Sequence, residues 1–213
     1  MSTYFSERFP ELRIQKPLFY NWETSIRFEI GPSEIPLWED REKEMLNEEY
    51  FTQAFHRATK IFDEVFSADD EIEIIVQRFS DGRQKIKKSN FISRHILSRV
   101  SYTTESERIH DIYEMEYKKH HWHRVTYSSL KVQDVDYKSI IQASINVDFS
   151  CRGETYIGEC YFINKSRDII LDIYDDRGMD VLAFKKSSIQ PLYEKFNQWI
   201  LDHNRNEIDT VFT

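Results

Sequence analysis

Cysteine, glycine and proline are scarce in this chain of 213 residues, and the scarcity removes whole classes of chemistry. The two cysteines, Cys151 and Cys160, match neither the close pairs of a zinc site nor the density of a secreted disulfide framework, so reduced structural thiols are expected. With five glycines there is little from which to build phosphate cradles, and no Walker-type loop, dinucleotide-binding fingerprint, nucleophile elbow or zinc-protease helix occurs. Nucleotide-dependent enzymes of familiar type are not expected, and neither is a cofactor. No stretch approaches the roughly 18 apolar residues of a membrane span, and Met1 to Phe9 carries Glu7 and Arg8 where a targeting peptide would be apolar. The expected compartment is the cytoplasm, without membrane association.

An excess of base is missing as well. Lys and Arg number 29 against 37 Asp and Glu, a net charge of −8, whereas nucleic-acid binding needs a basic field to neutralise phosphate. No nucleic-acid partner is expected, and an acidic surface suits a basic protein partner. The basic run Arg83, Lys85, Lys87, Lys88, Arg94 and Arg99 reads as a solvated face.

What is present is apolar and aromatic: 40% hydrophobic and 15% aromatic residues are enough to offset chain entropy with one core. Ile26, Phe28 and Ile30 alternate with polar residues, the period of a half-buried strand. Pro32 to Leu46 reads as a loop or a short turn of helix. Asn47 caps a predicted helix with Phe51, Ala54, Phe55, Ala58, Phe62 and Val65 on one stripe, leaving Arg57 among the outward residues. Glu71 to Phe79 reads as a strand closed by the turn Asp81-Gly82, Ile86 to Val100 as a basic helix, and Ser101 to Glu107 as an exposed loop. Ile109 to Tyr117 and Trp122 to Leu130 are read as paired strands. Asp136 caps a second helix. Thr155 to Ile163, Asp168 to Tyr174 and Met179 to Phe184 follow as a meander, with Gly178 supplying a positive φ at the last turn. Ser187 and Gln190 form a capping box for a final long helix that reaches Ile200, and the polar tail after Asp202 frays. The fold class is α+β: a mostly antiparallel sheet with a C-terminal three-strand meander, flanked by amphipathic helices. One domain spans residues 1–213, and a division into lobes would fall between 1–105 and 106–213.

Three constellations could carry chemistry. In His120-His-Trp-His-Arg124, strand alternation puts His121 and His123 on one face, where Asp111 or His110 could complete a metal site, although ordinary strand packing explains the same residues. Trp122 beside Arg124 suits a stacked, bidentate recognition of carboxylate or phosphate. Asp175-Asp-Arg-Gly178 sets adjacent acids on a tight turn, where Asp is also favoured for its local hydrogen bonds.

The chain resembles an uncharacterised bacterial family, domain of unknown function 3885. The resemblance runs through Phe19-Tyr-Asn-Trp22, Ile26-Arg-Phe-Glu29, the helix with Phe51 and Ala54 leading to Ile61-Phe62, and Trp122-His-Arg124. It is densest over Tyr161-Phe-Ile-Asn164, Ile173-Tyr-Asp-Asp-Arg-Gly178, Asp180-Val181 and Tyr193 to Leu201. It implies a shared fold and carries over no residue role. The family pattern has acidic residues before Trp-His-Arg, where this chain has His120 and His121, which weakens the metal reading.

The resulting expectation is a protein-binding module such as a toxin-immunity protein, by analogy with other small acidic bacterial domains. The expected binding residues are Trp122, His123, Arg124, Asp175, Asp176 and Arg177. The alternative is a small enzyme for a phosphorylated or carboxylated substrate, with His123 as acid or base, Arg124 as anion clamp and Asp176 as orienting acid. It requires those three side chains to converge.

Overall fold

The computed structural model describes residues 3–80, 90–98, 101–108 and 121–213. In chain order the elements are α1 (Thr3–Arg8), β1 (Ser25–Glu29), β2 (Trp38–Asp40), β3 (Met45–Leu46), α2 (Glu48–Val65), β4 (Glu71–Ser80) and α3 (Phe91–Arg94). There follow β5 (Ser101–Arg108), β6 (His121–Lys131), α4 (Tyr137–Ile145), β7 (Glu159–Asn164), β8 (Ile169–Ile173), β9 (Gly178–Ala183), α5 (Lys186–Lys195) and α6 (Arg205–Phe212). No helix among the described residues is long and apolar enough to cross a membrane.

Seven strands form one antiparallel sheet in the order β1-β9-β8-β7-β4-β6-β5, and β2 and β3 form a separate hairpin. The predicted C-terminal meander is β7-β8-β9, and the α+β class holds. Strand alternation divides the sheet into two faces. On the first, Ile72 and Ile74 of β4, Phe162 of β7 and Leu171 of β8 pack against α2, α4 and α5. Phe62 of α2 stacks on Tyr137 of α4 with ring centroids 4.3 Å apart. On the second face, Ile75, Tyr161, Ile163, Ile170 and Leu182 pack against Phe5, Phe9, Leu12, Ile14 and Leu18 of the N-terminal segment. Both faces of the sheet centre are therefore covered.

Helix α2 starts where its cap predicts: the Asn47 side chain accepts a hydrogen bond from the Glu49 N–H at 3.0 Å. Arg57, expected to face solvent, is buried, donating to Glu34 Oε1 at 2.6 Å and lying over the Trp199 ring. Long aliphatic stems can lie along apolar surface in this way.

Other expectations give way. Pro32 to Leu46 holds the β2–β3 hairpin. Ser101 to Glu107 is strand: β5 pairs with β6 from Ser101↔Ser128 to Arg108↔His121. Its polar composition belongs to an edge strand, exposed from Ser101 through Ser106. β6 pairs with β4 and β5. The strand expected at Ile109 to Tyr117, the Asp81-Gly82 turn, Arg83, Lys85, Lys87, Lys88, Arg99, His110, Asp111 and His120 lie outside the described residues. Within the expected basic helix, residues 91–94 form α3. Helix α5 starts at Lys186 without a side-chain cap, so the Ser187 and Gln190 box is not used, and it ends at Lys195. Ile200 then bridges to Phe28 of β1, and the tail folds into α6 with Ile208 and Phe212 buried. Gly178 has no positive φ; it is required because a Cβ there would meet the Tyr174 hydroxyl at 1.9 Å and the Phe28 carbonyl at 2.9 Å.

Candidate functional site

On β6, consecutive residues point to opposite faces, and this separates His123 from Arg124. His123 lies on the helix-covered face, lining a cavity with Val76, Val125 and Tyr127, and its Nδ1 is 3.4 Å from Ser106 Oγ. Arg124 points the other way and is buried, its Nε and Nη2 both donating to Gln77 Oε1 at 3.0 and 2.6 Å. The Arg124 guanidinium lies 4.4 Å from the Trp122 ring centroid. The expected stacking is present, with the guanidinium turned to the second face of the sheet. His121 is paired with Arg108 and Ser80 in the sheet.

Arg124 begins a polar row across the second face. Gln77 donates to the Ile14 carbonyl at 3.1 Å and to Glu159 Oε2 at 3.2 Å, and the Tyr161 hydroxyl donates to the same Glu159 oxygen at 2.6 Å. Opposite Tyr161 in register is Asp172, and opposite Asp172 is Asp180. Asp180 is gripped by Arg27 of β1 through Nε at 2.7 Å and Nη2 at 2.9 Å, and its Oδ2 also accepts from the Phe19 N–H. Rings of Phe19, Tyr20 and Tyr174 surround the Arg27 guanidinium at 5.1 to 5.4 Å. Asp172 is fully buried, and neither of its oxygens has a hydrogen-bond partner among the described residues. Burial raises its carboxyl well above the ordinary range, the Lys16 ammonium opposes, and the Asp180 carboxylate adds to the rise.

Sequence reasoning missed Gln77, Glu159, Asp172, Asp180 and Arg27. One signal was available: single polar residues interrupt apolar strands at Ile-Ile-Leu-Asp172-Ile and Met-Asp180-Val-Leu. Alternation alone assigns such positions to solvent, whereas the N-terminal segment covers them.

The acidic turn is a third place. The Asp175 carboxylate accepts from the Arg177 N–H at 2.8 Å and Nε at 2.9 Å, and also pairs with Nη2. Asp176 accepts from the Tyr50 hydroxyl at 2.9 Å. Burial raises the Asp176 carboxyl, the Tyr50 bond lowers it, and Asp175 raises it further. Carboxylate oxygens of Asp148, Asp175 and Asp176 lie within 4.8 Å of one another. Two of the three are already engaged by Arg177 and Tyr50. Between this turn and β6 stand β7 and β4, three interstrand steps of about 4.8 Å each, or roughly 14 Å across the sheet. Asp176, His123 and Arg124 therefore do not share one cleft.

The free side of the sheet differs. On the helix-covered face beside β5, a cavity of about 240 Å³ is walled by Val76, Ile92, Val125, Tyr127 and Tyr156, with Tyr102 and Ile157 at its rim. Tyr102 is 60% and Ile157 69% exposed, high values for large apolar side chains and the reason this surface reads as unfinished.

A family model described as a domain of unknown function (DUF3885) matches residues 1–204. The chain is similar to a protein of Bacillus subtilis (strain 168) named uncharacterized protein YnaE, 26% identical over 218 residues that cover 94% of this chain and 96% of the relative. No solved structure matches.

Proposed function

Since the chain belongs to the family described as a domain of unknown function, DUF3885, we propose that this fold serves as a non-enzymatic protein-binding module, in its most specific form an immunity protein for a basic toxin. One observation carries the reading: β5 ends the sheet with its outer edge unpaired among the described residues, beside exposed Tyr102 and Ile157 at the mouth of an apolar cavity. An open strand edge offers backbone hydrogen bonds to an added strand, and a neighbouring pocket gives side-chain specificity. Aromatic residues over such pockets are the usual anchors of an interface. The net charge of −8 favours a basic partner and faster encounter with it.

The expected contact residues take other parts in this reading. Arg124, Asp175 and Asp176 are buried, and Arg177 is tied to Asp175, so they support the scaffold, the acidic turn lying across the sheet from the edge. The enzyme alternative gains no support, because its acid or base, anion clamp and orienting acid stand on different faces or ends of the sheet.

The test is co-expression with toxins encoded beside this chain, followed by size-exclusion chromatography of the purified pair. Protection with a stoichiometric complex is expected, and Tyr102→Ser with Ile157→Ser should weaken the complex at least tenfold without unfolding the protein. A complex that forms undiminished with that double variant sinks the edge reading, and absence of both protection and complex for every neighbouring toxin sinks the immunity role.

A further inference from the structure

A second cavity lies on the opposite face of the sheet, between the N-terminal segment and strands β4, β6 and β5. Its volume is about 290 Å³, at the lower limit of the roughly 300–1,000 Å³ of small-molecule sites. Phe5 and Ile14 cover it from the N-terminal segment, and Thr103, Thr126 and Ser128 bring hydroxyls to its wall. The charged groups in the lining are Glu73, Glu105 and Arg124, an excess of one acid.

Glu73 is the group that needs explaining. Its side chain is 6% exposed. Oε1 stands 3.6 Å from the Lys165 ammonium, which is engaged more closely by Glu71 at 2.7 Å. Oε2 is buried and accepts no hydrogen bond from any described residue. A buried carboxyl oxygen without a donor carries a desolvation cost that a charge-assisted donor offsets best. Of Arg124, Nε and Nη2 donate to Gln77 Oε1. A cationic head in the cavity would supply such a donor.

We propose that this cavity binds a small amine or guanidine, with the Glu73 carboxyl receiving the cationic head and the hydroxyls of Thr103, Thr126 and Ser128 receiving a polar remainder. The walls fit that chemistry: hydroxyls both donate and accept, and Phe5 and Ile14 cover the methylene portion. This cavity and the pocket at the protein-binding edge lie on opposite faces of β5, Thr103 and Glu105 facing this one and Tyr102 and Thr104 the other.

Calorimetric titration of the full chain at low ionic strength with putrescine, agmatine and lysine tests it, with 1,4-butanediol as the uncharged counterpart of putrescine. At least one amine should bind saturably with one site per chain and at least tenfold more tightly than the diol. Glu73→Gln keeps the side-chain shape and should lose that binding at least tenfold, and Thr126→Val, tested in parallel, should weaken it severalfold. The proposal is overturned if no amine binds, if the diol binds equally well, or if Glu73→Gln binds unchanged. Binding of the neighbouring toxin by Glu73→Gln would be unaffected, so failure here and failure of the protein-binding reading remain separable.

Discussion

Asp172 and Asp180 sit directly across from one another on β8 and β9, and a single arginine, Arg27, serves only one of them. Burial drives the Asp172 carboxyl well above its ordinary range, and the neighbouring Asp180 carboxylate adds to the rise.

The consequence is a stability that falls as pH rises. In the unfolded chain Asp172 ionises near its ordinary value of about 4, whereas in the fold its value is raised. Its contribution is thus complete below about pH 4 and is lost progressively as pH climbs toward the folded value. Asp172→Asn removes that loss. Urea unfolding at pH 8 should show the variant more stable than the wild type by about 1–3 kcal/mol, with the difference shrinking or reversing at pH 4. An unchanged difference across that range would show that Asp172 is ionised in the fold.

Arg27 should behave as the other half of this arrangement. Arg27→Met leaves Asp180 buried with its charge uncompensated and should cost about 3–5 kcal/mol. Adding Asp180→Leu should recover most of it, since an apolar pair of similar volume is tolerated where a lone charge is not. A double variant no better than Arg27→Met alone would refute the pairing.

Gly178 is held by proximity. Gly178→Ala drives a Cβ into the Tyr174 hydroxyl and toward the Phe28 carbonyl, so a loss of about 3 kcal/mol or more is expected in thermal or urea unfolding. Tyr174→Leu in the same chain should restore part of that stability by removing the nearer obstacle. No recovery would place the conflict at the β1 backbone.

The C-terminal helix is structural. Phe212 is buried, its ring stacked on Tyr193 at 5.2 Å, so Phe212→Ala should cost about 3 kcal/mol. Melting unchanged within a degree would return the tail to the frayed state that its polar composition suggests.

Long periodic segments were legible from the residues. The Phe51 to Val65 stripe and the Asp136 cap follow from helical spacing against a large core, and the three-strand meander from short apolar runs set apart by turn residues. β5 was not legible, since Ser-Tyr-Thr-Thr-Glu-Ser has a loop's composition and becomes strand through pairing with β6. α6 was obscured because two apolar residues, Ile208 and Phe212, decide its docking amid polar neighbours. Of the expected site, alternation already implied that His123 and Arg124 part company, but not that Arg124 points inward. That outcome depends on Ile14 and the rest of the N-terminal segment roofing the second face, a long-range contact that no local pattern encodes.

The placement of β1 has a kinetic corollary. Ser25 to Glu29 pair with Leu182 to Gly178, and Phe28 also bridges to Ile200, both far along the chain. During synthesis this early strand leaves the ribosome with its partner still untranslated, and a nascent chain in that condition offers an open, greasy ribbon to chaperones or to other copies of itself. Pairs so distant in sequence close slowly, so expression at reduced temperature or with holdase chaperones should raise the yield of native protein.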